Sequence, residues 1–144
     1  MRRLRWCGLP GVALLVLAIA LAPGCGGDPD AIPAVPAAGT VTYQGKPLPE
    51  GNIVFQPIME AKGRPASGTI KDGKFSLSTY GTDDGAIPGK HKVAVMATKE
   101  VPSKEGDTAT QYLIPEKYAS PETSGIEIEI PPGGKKDIAI DIPG

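Results

Sequence analysis

The stretch "ASGTIKDGKFSLSTY", Ala66 to Tyr80, decides the fold. Ile70 stands before Asp72-Gly73, and Phe75 and Leu77 follow it with polar residues between. Period-two alternation sends successive side chains to opposite faces of an extended strand, so that one face can be buried while the other stays wet. Asp-Gly suits a two-residue turn because both central positions tolerate positive φ. The stretch therefore predicts a tight hairpin, with Thr69-Ile70 folded back on Phe75-Ser76-Leu77.

Outward from this hairpin the same period recurs. "GTVTYQGKPL" alternates Val41 and Tyr43 against Thr40 and Thr42 and turns at Gln44-Gly45-Lys46-Pro47, and "GNIVFQP" presents Ile53 and Phe55 as an inward pair before Pro57 ends it. "GAIPGKHKVAVMATK" turns at Pro88-Gly89 and sets His91, Val93, Val95 and Ala97 on one face, Lys90, Lys92, Ala94 and Met96 on the other; its length predicts a central strand. "GIEIEI" and "KDIAIDI" alternate isoleucines with acidic or small residues, and their charges guard sheet edges against pairing with other chains. Between them and the central strand, "EVPSKEGDTATQYLIPEKYASPETS" lacks a period and reads as a crossing loop pinned by Tyr112, Leu113, Ile114 and Tyr118. No stretch has a helical period. About seven short strands separated by turn residues predict an all-β, antiparallel β-sandwich.

Composition agrees with one such domain. The chain has 144 residues, and its 19 glycines and 16 prolines fit short strands joined by many turns. Both cysteines, Cys7 and Cys25, fall in the first 25 residues, so no disulfide framework staples the domain and burial must hold it together.

Those first residues read as an export signal. Arg2, Arg3 and Arg5 form a positive start, Val12 to Leu21 is an apolar run too short to cross a bilayer, and small residues precede Cys25. A small-residue cleavage site ending in cysteine resembles the lipobox of bacterial lipoproteins. The resemblance implies that Cys25 is acylated and becomes the mature amino terminus, tethering the protein to a membrane. Ala22 stands where that motif usually has leucine. A secreted protein cut near Ala22 is the alternative. By the same resemblance, Gly26 in place of an aspartate implies sorting to the outer membrane.

Removing the three leader arginines leaves 12 basic residues against 16 acidic ones, a net charge of −4, which argues against nucleic acid as a partner. "GGDPDAIPAVPAAG" then reads as an extended, solvated spacer, long enough at about 3.1 Å per residue to hold a domain roughly 40 Å from the membrane. The expected organisation is a leader over residues 1–24, a flexible spacer over 25–38 and a sandwich over 39–144.

The motifs "GTVTYQGKPLPEGNIVFQP", "GTIKDGKFSLST", "DDGAIPGKHKVAV" and "IPEKYASPETSGIEIEI", in that order, resemble the planctomycete-type small lipoproteins with a carboxypeptidase regulatory-like, or transthyretin-like, domain. The resemblance implies a prealbumin-like sandwich, exported and anchored, with no catalytic activity or cofactor of its own.

Catalytic chemistry has little to work with. His91 is the only histidine, which excludes a multi-histidine zinc site and reads as a structural or rim residue. The transthyretin-like fold includes hydroxyisourate hydrolase, but that activity implies several histidines, an arginine and a Tyr-Arg-Gly-Ser tail, whereas this chain ends Asp-Ile-Pro-Gly. Asp83 and Asp84 offer hard oxygens on a glycine-flanked loop but too few for calcium, and read as a solvated turn. Ser120 and Ser124 have no base in sequence reach and read as turn and cap residues. Two binding roles remain: contact with another envelope protein through open strand edges, or polysaccharide binding through a patch of Tyr80, Tyr112 and Tyr118.

Overall fold

The computed structural model describes residues 31–58, 63–103 and 106–144. Its strands are β1 (Ala37–Tyr43), β2 (Lys46–Pro47), β3 (Glu50–Pro57), β4 (Ala66–Lys71), β5 (Lys74–Ser76), β6 (Gly89–Met96), β7 (Thr98–Pro102), β8 (Thr108–Tyr112), β9 (Ile126–Ile130) and β10 (Lys135–Ile142). The predicted hairpin is the one that joins β4 to β5. Asp72 and Gly73 take φ of 49° and 75°, the left-handed values such a turn needs, and Gln44 and Gly45 repeat it at 51° and 74° between β1 and β2.

Seven strands form the main path in the order β10-β1-β5-β4-β3-β6-β9, with β2 beside β1. β6 is central, between β3 and β9, as its length implied. The charge-bearing strands β9 and β10 lie at the two edges, where their charges oppose pairing with other chains. Every pair is antiparallel except β1–β10, which runs parallel with Val41 opposite Ile140. Alternation predicts which face of a strand is buried but not its partner, so this pairing was not legible in the residues.

β4 and β5 are in ladder register only at Lys71 and Lys74, with one further bridge between Ser67 and Ser78. The sheet folds over at this weak seam, bringing β3, β6 and β9 against β1, β5 and β10 as a β-sandwich. Phe55 of β3 meets Phe75 of β5 with ring centroids 6.1 Å apart. Ile53, Val93, Val95 and Ile130 fill one side of the core and Val41, Ile138, Ile140 and Ile142 the other, all buried. On β6, His91, Val93, Val95 and Ala97 are buried as expected. Ala94, of opposite parity, is buried too, and the 3₁₀ turn Glu116–Ala119 packs against this strand.

Three expectations are corrected. The stretch read as a crossing loop contains a β-ribbon, β7–β8, paired from Thr98–Tyr112 to Pro102–Thr108 and separate from the main sheet. All five residues of β8 are exposed, so no buried stripe imposes a period on the sequence. Ile114 and Tyr118 are buried and Leu113 packs against the core, but Tyr112 is exposed and pins nothing.

The spacer also ends earlier than residue 38. Val35 exchanges two backbone hydrogen bonds with Ala86, at 2.8 and 3.0 Å. Lys135 N–H donates to Pro36, Leu77 N–H donates to Ala37, and Ala37 is buried. Gly85, at φ 94°, lets this segment approach: a β-carbon there would overlap the carbonyl oxygen of Val35. The fold therefore begins by Val35. Residues 1–30, including the expected leader and Cys25, lie outside the described residues.

Candidate functional site

Strand register gives the sandwich two distinct ends. At one, β1 begins at Ala37, β3 finishes at Pro57 opposite His91, and β6 starts at Gly89 opposite Ile130. The amino-terminal segment enters here, and this end is called the tether end after the expectation for Cys25. The far end carries the turn at Gln44-Gly45, the start of β3 at Glu50, the Asp72-Gly73 turn and the β7–β8 ribbon.

The three tyrosines do not form a patch. Tyr80 is 41% exposed at the tether end, its hydroxyl donating to the Ile32 carbonyl at 2.9 Å and the Arg64 guanidinium lying 5.7 Å from its ring centroid. Tyr112 is 43% exposed and pairs with Thr98, just past the opposite end of β6. Tyr118 is only 4% exposed and belongs to the core. Six residues of β3 separate the levels of the two exposed rings, roughly 20 Å at the rise of a strand. Each of these tyrosines falls in a loop-like stretch of sequence, and loop membership does not encode which end of a sandwich a residue reaches.

His91 is fully buried, which places it in the core and not at the rim. Its Nδ1 lies 3.0 Å from the Gly89 carbonyl oxygen, an acceptor only, so Nδ1 carries the proton and Nε2 is left as a bare lone pair. Nε2 is buried with no hydrogen-bond partner, and the Phe55 ring lies 5.9 Å away. Burial pushes the imidazole pKa below its ordinary 6.5, against the smaller opposing effect of the Gly89 contact. Sealed from solvent and committed to Gly89, this ring is not placed to act as a base on a surface ligand.

The Asp83-Asp84 loop is a built turn. Both oxygens of Asp84 are occupied: Thr79 N–H donates to Oδ1 at 2.7 Å, and the N–H groups of Tyr80 and Gly81 donate to Oδ2 at 2.9 Å each. Burial raises the carboxyl pKa, but these bonds together outweigh it and hold it below the ordinary 3.8. Asp83, at φ 54°, donates its N–H to Ser78 Oγ. Among the described residues, no three His, Cys, Asp or Glu side chains converge to hold a metal ion.

Ser124 is buried and its Oγ accepts from Ile126 N–H at 3.2 Å, capping the start of β9. Ser120 Oγ donates to Glu122 at 2.6 Å, which with the surrounding backbone lowers the Glu122 pKa. Both serines hold the turn before β9 together.

One surface feature had no counterpart in the sequence reading. The outward side chains of β3, β4 and β5 line an open groove of about 840 Å³, with Asn52, Ser67, Thr69 and Ser76 along it and Lys71 and Lys74 at its far end. It lies across the weak β4–β5 seam. Hydroxyls, an amide, two ammonium groups and the Asp83 carboxylate, which also lines the groove, suit a hydroxylated ligand. Polar residues on the wet face of a strand are so ordinary that the sequence carries no signal for it.

No protein-family model matches the chain, and no curated protein matches it. Among solved structures, a 9R-lipoxygenase from Cyanothece PCC8801 aligns at 12% identity with a TM-score of 0.35. The alignment covers 74% of this chain and 15% of the lipoxygenase chain, and a likeness so weak carries no argument about fold or function.

Proposed function

We propose that this is an exported, lipid-anchored protein of the bacterial cell envelope, held at the outer membrane through acylated Cys25, whose β-sandwich binds a partner and does no chemistry. It would belong with the carboxypeptidase regulatory-like, transthyretin-like lipoproteins that its motifs resemble. The observation that carries the binding role is the β7–β8 ribbon, which stands apart from the main sheet with no buried residue in either strand. A lone two-stranded ribbon is marginal in water, and each of its strands offers an open edge to a third. An envelope protein that adds a strand to this ribbon would satisfy those edges.

Two measurements test the reading. Wild-type cells labelled with a palmitate analogue should yield acylated protein that stays with membranes at high salt, and Cys25→Ser should lose both properties; unacylated, soluble wild-type protein rejects the anchor. Affinity capture from solubilised envelope should retrieve a partner with the wild-type chain and lose it with Thr110→Pro, which removes a backbone N–H from β8. No reproducible partner for the wild-type chain rejects the binding role.

A second reading, polysaccharide binding, is favoured by the polar groove over β3, β4 and β5 and no longer by the tyrosines. Purified protein that binds nothing on a glycan array removes it.

A further inference from the structure

We propose that the tether end of the sandwich is a lipid-contacting face, on which Ile58, Arg64 and Tyr80 lie against the headgroup region of the membrane that holds Cys25. The proposal rests on the anchor reading of Cys25 and adds to it an orientation and a second point of contact.

The leash from Cys25 is short. The Ile32 carbonyl already accepts the Tyr80 hydroxyl, and Val35 is already paired with Ala86. Only seven residues lead from Cys25 to Ile32. At about 3.3–3.6 Å per residue they span at most about 25 Å in any conformation, little more than half the distance that a spacer ending at residue 38 would allow. An eight-residue strand such as β3 or β6 is itself about 26 Å long. A head on so short a leash keeps the end where the leash enters nearest the bilayer.

That end also displays the side chains a membrane interface favours. Four large apolar side chains are prominently exposed among the described residues, and Ile58 (44%) and Tyr80 (41%) are both here. Ile58 N–H donates to the Lys90 carbonyl, which fixes it at the start of β6. The hydroxyl of Tyr80 is satisfied by Ile32, so its ring is free to lie at the interface, and Arg64 sits over that ring. An aliphatic side chain, a tyrosine ring and a guanidinium on a long apolar stem make a trio suited to the headgroup boundary, where the ring and the stem lie in the apolar layer and the charge meets phosphate. Lys90 and Lys136 add exposed cations at the same end. Of the acids nearby, Asp84 is turned inward to three backbone N–H groups, Glu129 stands opposite Lys90 in the ladder, and the exposed Asp83 and Asp137 offset part of this positive charge. Met96 and Tyr112, the other two exposed apolar residues, are at the far end and point to nothing the anchor supplies.

The test supplies the anchor chemically. The chain from Cys25 onward keeps every described residue, a single thiol and no tryptophan. Coupled through Cys25 to a maleimide lipid in vesicles of phosphatidylethanolamine and phosphatidylglycerol, an Ile58→Trp reporter should shift its emission to the blue. Lipids carrying a nitroxide near the headgroup should quench it about three-fold more than a Met96→Trp reporter at the far end, as expected for a side chain set a few ångströms into the interface. Adding Arg64→Glu should reduce that quenching. If Ile58→Trp fails to fold, Lys90→Trp reports on the same end. Equal quenching at both ends, or none at residue 58, overturns the lipid-contacting face while leaving the anchor untouched. Absence of acyl label on wild-type protein in cells overturns the anchor reading itself, whatever the vesicles show.

Discussion

Replacing His91 by leucine should abolish a pH dependence of stability that the wild-type fold carries between pH 5 and 7. The neutral ring is buried with Nδ1–H on Gly89 and a bare lone pair at Nε2. Protonation would place an unpaired donor and a charge together among Phe55 and the cross-strand neighbours Pro57 and Ile128. The folded pKa is therefore below 6.5 while the unfolded chain keeps about 6.5, so the unfolded state binds more protons as the solution is acidified. Stability is complete above pH 6.5. Below it, stability falls by up to about 1.4 kcal/mol per pH unit until the folded ring also titrates. Because the chain has only one histidine, the slope in this window belongs to it. In His91→Leu the Gly89 carbonyl loses a bond worth about 1 kcal/mol, while the orphaned Nε2, whose burial costs about 1–3 kcal/mol, disappears. At pH 8 the variant should therefore match the wild type or exceed it slightly, and its lead should widen at pH 5.5. Urea titrations of the chain from Gly26 onward, at half-unit steps from pH 5 to 8, measure this directly. A wild-type unfolding free energy that stays flat from pH 7 to pH 5 would refute the reasoning.

The tether-end loop and the amino-terminal segment give further expectations. Asp84→Asn replaces a carboxylate that accepts three N–H bonds with an amide whose nitrogen faces donors, so it should cost about 1–2 kcal/mol at neutral pH by chemical denaturation. Because the carboxyl pKa is lowered in the fold, its contribution is present above about pH 3.8 and lost as pH falls through the folded value. The gap between wild type and variant should close in that acid range, and a gap independent of pH would count against the assignment. Gly85→Ala combines a left-handed φ with a β-carbon overlapping the Val35 carbonyl, and should lower stability by about 2 kcal/mol or more while exposing residues 31–38 to protease. An unchanged melting temperature would mean that this seam does not form in solution.

Strands with one wet face announced themselves. Val41, Ile53, Phe55, Ile70, Phe75, Val93 and the isoleucines of β10 all fall on the buried parity that alternation assigns them. The Asp72-Gly73 turn was equally plain, because positive φ at two successive positions is a demand few dipeptides meet. β7 and β8 were hidden because an exposed ribbon buries nothing and so leaves no periodic mark. Val35 and Ala37 were read as spacer because prolines and alanines surround them, although they already stand two apart as a strand requires. Sites fared worse than strands. The groove over β3 to β5 and the separation of Tyr80 from Tyr112 are properties of which strands lie side by side, and parity within one strand does not carry that information.

The parallel pairing of β1 with β10 has a consequence for how the chain reaches its folded state. Thr42 and Asp141, 99 positions apart, hydrogen-bond at 2.8 Å across this pair. As the chain emerges from a ribosome, β1 must therefore wait for β10. Until Lys135–Ile142 emerges, one edge of β1 has no ladder and the inward residues Val41 and Phe75 have lost Ile138, Ile140 and Ile142 as neighbours. Loop closure over such a separation is slow. For the exported protein proposed above, the same order would keep the chain open in transit, because the contacts that lock β1 in place do not exist until β10 is through.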